Sequence, residues 1–82
     1  NNKNVIANDN IKLYPNPVSQ QLNIELPDVT TGTIQIYTVD GKLMLTDAIE
    51  RAKTKEIDIR TLPAGIYWLT INNEYLKKII VQ

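Results

Sequence analysis

From residue 21 onward the chain alternates apolar and polar side chains with a period of two, broken at short intervals by Pro, Gly, Asp and Asn. Gln21-Leu-Asn-Ile-Glu-Leu26 puts Leu22, Ile24 and Leu26 on one side of an extended backbone, the pattern of a strand buried on one face. Pro27-Asp28 is expected to end it. Thr33-Ile-Gln-Ile-Tyr-Thr-Val39 repeats the theme, and Asp40-Gly41 follows as a hairpin signal of the type I′ kind, in which both central residues take positive φ. The returning strand is Lys42-Leu-Met-Leu-Thr46. Further strands run through Lys55-Glu-Ile-Asp-Ile59, Ile66-Tyr-Trp-Leu-Thr-Ile71 and Leu76-Lys-Lys-Ile-Ile-Val81, with the turn Thr61-Leu-Pro-Ala-Gly65 and a break at Asn72-Asn73 between them. Ile11-Lys-Leu-Tyr14 adds a short one.

Short strands spaced by turn residues every roughly 8–12 positions predict an all-β protein. The expected architecture is an immunoglobulin-like antiparallel β-sandwich of about seven short strands. Asp47-Ala-Ile-Glu-Arg-Ala52 is the one helical candidate, too short to stand alone in water, and a loop or strand edge fits it as well. The last hairpin has two registers. A two-residue loop at Asn72-Asn73 would put Leu76 and Ile80 on the face of Leu69, whereas a three-residue loop would put Ile79 and Val81 there, since a shift of one residue inverts the pleat.

A length of 82 residues argues for one domain. Residues 1–10 are polar and Asn-rich and read as a linker to upstream sequence; residues 11–82 form the domain. A domain this small buries only about 60% of the surface its unfolded chain exposes, so its core is thin. The start has no initiator Met and no charged segment leading into an apolar one, so the chain is expected to be a piece of a longer protein with any export signal upstream. No apolar run approaches the roughly 20 residues of a membrane helix.

Charge and composition then remove functions. Nine Lys plus Arg balance nine Asp plus Glu. The basic stretches Arg51-Ala-Lys53-Thr-Lys55 and Lys77-Lys78 are interrupted or flanked by Glu50, Glu56 and Glu74, which suits a solvated sheet edge and not a nucleic-acid interface. Cysteine and histidine are absent, so disulfides, thiolate or imidazole metal sites and His-dependent triads are excluded. Ser19, the only serine, lies in a turn-like context without a base. Paired carboxylates for glycoside chemistry are conceivable among Asp40, Asp47, Glu56 and Asp58, but a shell this small has little room for the cleft they need. Asn8-Asp9-Asn10 lacks the spaced acidic loop that calcium requires. Three glycines make no phosphate-binding loop. The reading is a non-enzyme with no cofactor and no metal.

Four features recur in order along the chain: Leu13-Tyr14-Pro15-Asn16-Pro17 before the strand at Leu22; Ile36-Tyr37-Thr-Val-Asp40-Gly41-Lys42; Leu62-Pro63-Ala64-Gly65-Ile66-Tyr67-Trp68; and the closing Lys77-Lys78-Ile79-Ile80-Val81. Each is weak alone. As an ordered set over about Ile11 to Gln82 they resemble the C-terminal sorting domain of the type IX (Por) secretion system in Bacteroidetes secreted proteins. The chain departs from the usual pattern in ending with Gln82, where such domains often finish with Lys or Arg.

The resemblance implies a signal domain that directs an upstream cargo, in the same chain, across the outer membrane. It also implies partners in the outer-membrane type IX translocon and in a sortase-like peptidase that removes the domain. The path would run through the periplasm to the cell surface or the medium, with no membrane insertion and no nucleic acid. On this reading the sorting-motif residues are Pro15, Asn16, Pro17, Asp40, Gly41, Lys42, Gly65, Tyr67, Lys77, Lys78, Ile79, Ile80 and Val81.

Plain structural roles stand beside these. The two prolines fix a bend at an edge entry. Gly65 supplies a turn conformation, and Tyr67 shares a face with Leu69 and Ile71, which makes it a core residue whose hydroxyl needs a partner. Trp68 alternates to the opposite face and is a candidate surface contact. The rival function is an accessory adhesion or carbohydrate-binding module of immunoglobulin-like fold, for which Trp68 and Tyr75 would be the stacking aromatics.

Overall fold

The computed structural model describes residues 10–82, so the expected linker lies almost wholly outside the described residues. The protein is all-β and contains five strands: β1 (Lys12–Tyr14), β2 (Gln21–Thr38), β3 (Leu43–Asp58), β4 (Gly65–Ile71) and β5 (Tyr75–Val81). All pair antiparallel in one sheet of order β1-β2-β4-β5, with β3 along the other edge of β2. The N-terminal half of β2 carries β1, Leu13 opposite Ile24, and its C-terminal half carries β4, Ile36 opposite Leu69. The sheet curls until the segment after β1 meets β5 through a parallel bridge between Val18 and Val81.

The strand count is five where the sequence predicts about seven, because two pairs of expected strands are continuous. Pro27-Asp28 does not end β2. Pairing with β3 shifts register between Glu25 and Thr30 and again between Thr30 and Gly32. Proline costs no ladder bond where a bulge leaves its position unpaired. Opposite it, Asp47-Ala52 is part of β3 and not a helix turn. Ile49 is 1% exposed, and Arg51 takes a φ of 54° as the strand bends, its N–H donating to Thr31 Oγ1 at 3.2 Å.

The alternation then does what its period dictates. Leu22, Ile24, Leu26, Ile34 and Ile36 of β2 join Ile49 and Ile57 of β3, Tyr67, Leu69 and Ile71 of β4, and Tyr75, Ile79 and Val81 of β5 in a single core. Ile11, Val18, Ile59 and Leu62 close it from the connecting segments. Among the described residues no charged side chain is buried.

Two turns decide register. Between β2 and β3, Thr38 N–H donates to Lys42 O at 2.8 Å and Gly41 N–H donates to Thr38 O at 3.0 Å, so the loop is Val39-Asp40-Gly41. Gly41 alone of these has positive φ, at 97°. This corrects the type I′ expectation: the loop is the three-residue kind, in which one left-handed residue closes the hairpin through a bulge. Between β4 and β5, Ile71 pairs with Tyr75 and Tyr67 with Ile79, which selects the three-residue alternative. Asn72 and Asn73 take φ of 54° and 61°, a conformation asparagine tolerates, and Glu74 N–H closes onto Ile71 O at 3.0 Å.

Candidate functional site

Strand β5 lies at one end of the sheet and bonds to β4 on one side only. Its other edge would present unpaired backbone groups, the feature by which strands associate. The segment after β1 covers much of that edge. Val18 N–H donates to Ile80 O and Gln82 N–H to Val18 O, both at 2.8 Å. One residue before the second proline, the Asn16 carboxamide continues the ladder: its Oδ1 accepts Ile80 N–H at 3.0 Å and its Nδ2 donates to Lys78 O at 3.2 Å. Pro15 and Pro17, which have no N–H, flank a side chain that supplies both donor and acceptor. The exposed Pro15-Asn16-Pro17 motif therefore meets the closing Lys78-Ile79-Ile80-Val81 motif directly.

The other two motifs reach the same end through the sheet. Thr38 pairs with Tyr67, and Tyr67 with Ile79; Gly65 pairs with Val81. The Asp40-Gly41-Lys42 loop thus stands at the end of β2 in line with the start of β4 and the end of β5. Thr38 ties the loop, its hydroxyl donating to the Asp40 carboxylate and accepting Lys42 N–H at 2.9 Å. The hydroxyl bond holds Asp40 below the usual carboxylate range.

Tyr67 is 5% exposed, as its place on the core face requires, and its hydroxyl donates to Pro63 O at 2.5 Å. That bond pins the turn before Gly65, whose φ is 155°. Lys42, Lys77 and Lys78 are exposed, whereas Ile79 and Val81 are buried and Ile80 is 38% exposed. The closing motif accordingly splits by parity: Ile79 and Val81 hold the core, while Lys78 and Ile80 look outward.

Trp68 is half-buried on the outer face between Tyr37 of β2 and Lys78 of β5. Tyr75 is not there. It is 1% exposed in the core, so the pair of stacking aromatics expected for a sugar-binding face does not form. The three-residue loop is the reason, since it turns Tyr75 inward with Ile79.

With four motifs in one neighbourhood, comparison with known proteins is decisive. A family model described as "Secretion system C-terminal sorting domain" matches residues 12–82. The chain belongs to that family. Sorting domains of this kind are C-terminal signals for type IX secretion, and the family is not an enzymatic one. Such a signal sends the protein that carries it to the cell surface or the medium. An endo-acting ulvan lyase of Formosa agariphila is 27% identical over 98% of this chain. The chain spans only 16% of that relative's length. The crystal structure of a single-mutant thermostable endoglucanase from Alicyclobacillus acidocaldarius shares the fold, with a TM-score of 0.56 at 14% identity over 76% of this chain and 12% of that one.

Three side-chain arrangements that the sequence did not announce brace the sheet around these motifs. Asn72 lies over Gly32, its side-chain Oδ1 accepting Thr33 N–H and its own N–H donating to Thr33 O, both at 2.9 Å. The glycine is the only signal of that close approach. Tyr14 donates to Glu25 at 2.6 Å across β1 and β2, a bond that raises its phenol above the ordinary value. Asp58 and Arg60 form a two-point ion pair beside Gln20 and Gln21, at the entry to β2.

Proposed function

We propose that this domain is an address label for a cargo encoded upstream in the same chain, read by the outer-membrane type IX translocon and then removed by a sortase-like peptidase. The cargo reaches the periplasm by its own export signal, and the translocon carries it onward because it engages the end of the sheet at β5. Residues 1–10 serve as the tether in which a peptidase cuts. The observation that supports this reading best is the convergence of all four family motifs on the terminal strand. The two halves of the curled sheet, which share one core, support an immunoglobulin-like sandwich as its architecture.

The test joins residues 1–82 to a periplasmic reporter in a type IX-competent strain. The reporter should appear outside the cell, stay in the periplasm of a translocon mutant, and stay there when Lys77–Gln82 is deleted. Export that is absent in the competent strain, or unchanged in the mutant, would falsify the proposal.

A further inference from the structure

The outward face of β3-β2-β4-β5 is nearly free of charge. Leu43, Tyr37, Trp68 and Lys78 lie side by side across the four strands, and Ile66 pairs with Ile80 in the neighbouring row. Leu43, Ile66 and Ile80 are 46%, 47% and 38% exposed. The other outward positions from Thr33 to Tyr37, Leu43 to Ala48, Ile66 to Thr70 and Leu76 to Ile80 are Thr, Gln, Ala and Leu. Among these positions Lys78 is therefore the single charge, and the first carboxylate on this side of β3 is Glu50, beyond Ala48. The other charged residues lie outside these positions, from Asp40, Lys42, Glu74 and Lys77 in and beside the hairpin loops to the bend of β3 and the entry to β2. A continuous apolar and aromatic surface of this kind, left open on a small domain, marks an interaction site.

Charge decides what covers it. A second copy docked face to face would bring two Lys78 ammonium groups into one apolar contact with no carboxylate in these rows to offset either, which is costly. A sugar platform needs a second exposed ring beside Trp68 that is free to stack, but Tyr37 is half-buried and its hydroxyl is engaged with Gln35 at 2.8 Å. We infer that this face docks a protein surface that is apolar at its centre and places a carboxylate opposite Lys78. Resting on the sorting function proposed above, the inference makes that surface part of the secretion machinery. Lys78 thus has two parts: its carbonyl is bonded by Asn16 and its ammonium faces the partner.

The reporter fusion tests this with three variants whose folding is checked by thermal melting. Lys78→Glu should reduce the exported fraction roughly tenfold, as reversing a charge at a desolvated contact does, and Lys78→Arg should restore it. Ile66→Asp should reduce export by at least as much. Lys12→Gln, on β1 along the N-terminal half of β2, should leave export unchanged. If folded Lys78→Glu and Ile66→Asp fusions are exported normally while deletion of Lys77–Gln82 still blocks export, the face is not the docking surface, although the sorting function stands. Sedimentation of the isolated domain adds the remaining outcome: self-association that Ile66→Asp abolishes would assign the face to a second copy and overturn the inference.

Discussion

The carboxamide of Asn16 occupies the place of a backbone unit beside Ile80, accepting its N–H at 3.0 Å while donating to Lys78 O at 3.2 Å. The two residues are separated by nearly the whole described chain, so one polar side chain near the start fastens the last strand. Replacing Asn16 by Ala should cost about 1 kcal/mol, the usual net worth of such bonds. Amide exchange at Ile80 should accelerate while Leu69 in β4 stays protected. Unchanged exchange at Ile80 would show that the contact does not hold the strand.

The two core tyrosines should respond in opposite ways to loss of the hydroxyl. Tyr67 donates to Pro63 O, so Tyr67→Phe should lose about 1 kcal/mol in denaturant titration. Among the described residues Tyr75 Oη is buried without a partner, and burial pushes its phenol above the ordinary value. Removing an unpaired buried hydroxyl is neutral or stabilising, so Tyr75→Phe should melt at or above the parent temperature. A clear destabilisation by Tyr75→Phe would contradict the unpaired geometry.

At Gly32 a methyl group would stand 2.5 Å from Nδ2 and 2.7 Å from Cγ of Asn72. Asn72 is held by two bonds to Thr33 and has little freedom to retreat, so Gly32→Ala should destabilise by about 2 kcal/mol. Asn72→Gly accepts the positive φ and empties the space. A double-mutant cycle should then show the pair less costly than the sum of the single changes. Strict additivity would place the strain elsewhere.

Arg60 donates to both oxygens of Asp58, Nη2 at 2.7 Å and Nε at 3.0 Å, and its backbone N–H adds a third bond at 3.0 Å. The side-chain bonds foremost, then the backbone one, lower Asp58 to about 2. A folded-state value below the unfolded one, near 4 for a free aspartate, means that the stabilisation is present above about pH 4. It fades as pH falls through about 2. Arg60→Ala should return the Asp58 titration towards the ordinary value, read by carboxyl NMR shifts; an unmoved midpoint would mean that the pair does not persist in solution.

The strands at Leu22–Leu26, Ile34–Ile36 and Tyr67–Ile71 were legible because burying one face of a strand requires period two, and a single sequence displays that period directly. So were the inward place of Tyr67 and the outward place of Trp68. The interruptions misled. Pro27-Asp28 read as an ending and Asp47-Ala52 as a short helix, a loop or a strand edge, yet bulges carry β2 and β3 through them, and a bulge is a property of two paired strands. The Asp-Gly signal located its hairpin but not its loop length, because the extra residue, Val39, is set by which rows of β2 and β3 come into register.

Alternation of side-chain polarity, being local chemistry, settled the all-β class and most of the core face, and the family motifs stood in order along the chain. Tertiary structure alone decided that those motifs meet at one end of the sheet, that Asn16 completes the edge of β5, and that Tyr75 turns inward and Lys78 outward. The three-residue loop between β4 and β5 makes the last choice, and hydrogen bonds between residues more than 60 positions apart make the others. They depend on how far the sheet curls, which no short stretch of sequence contains.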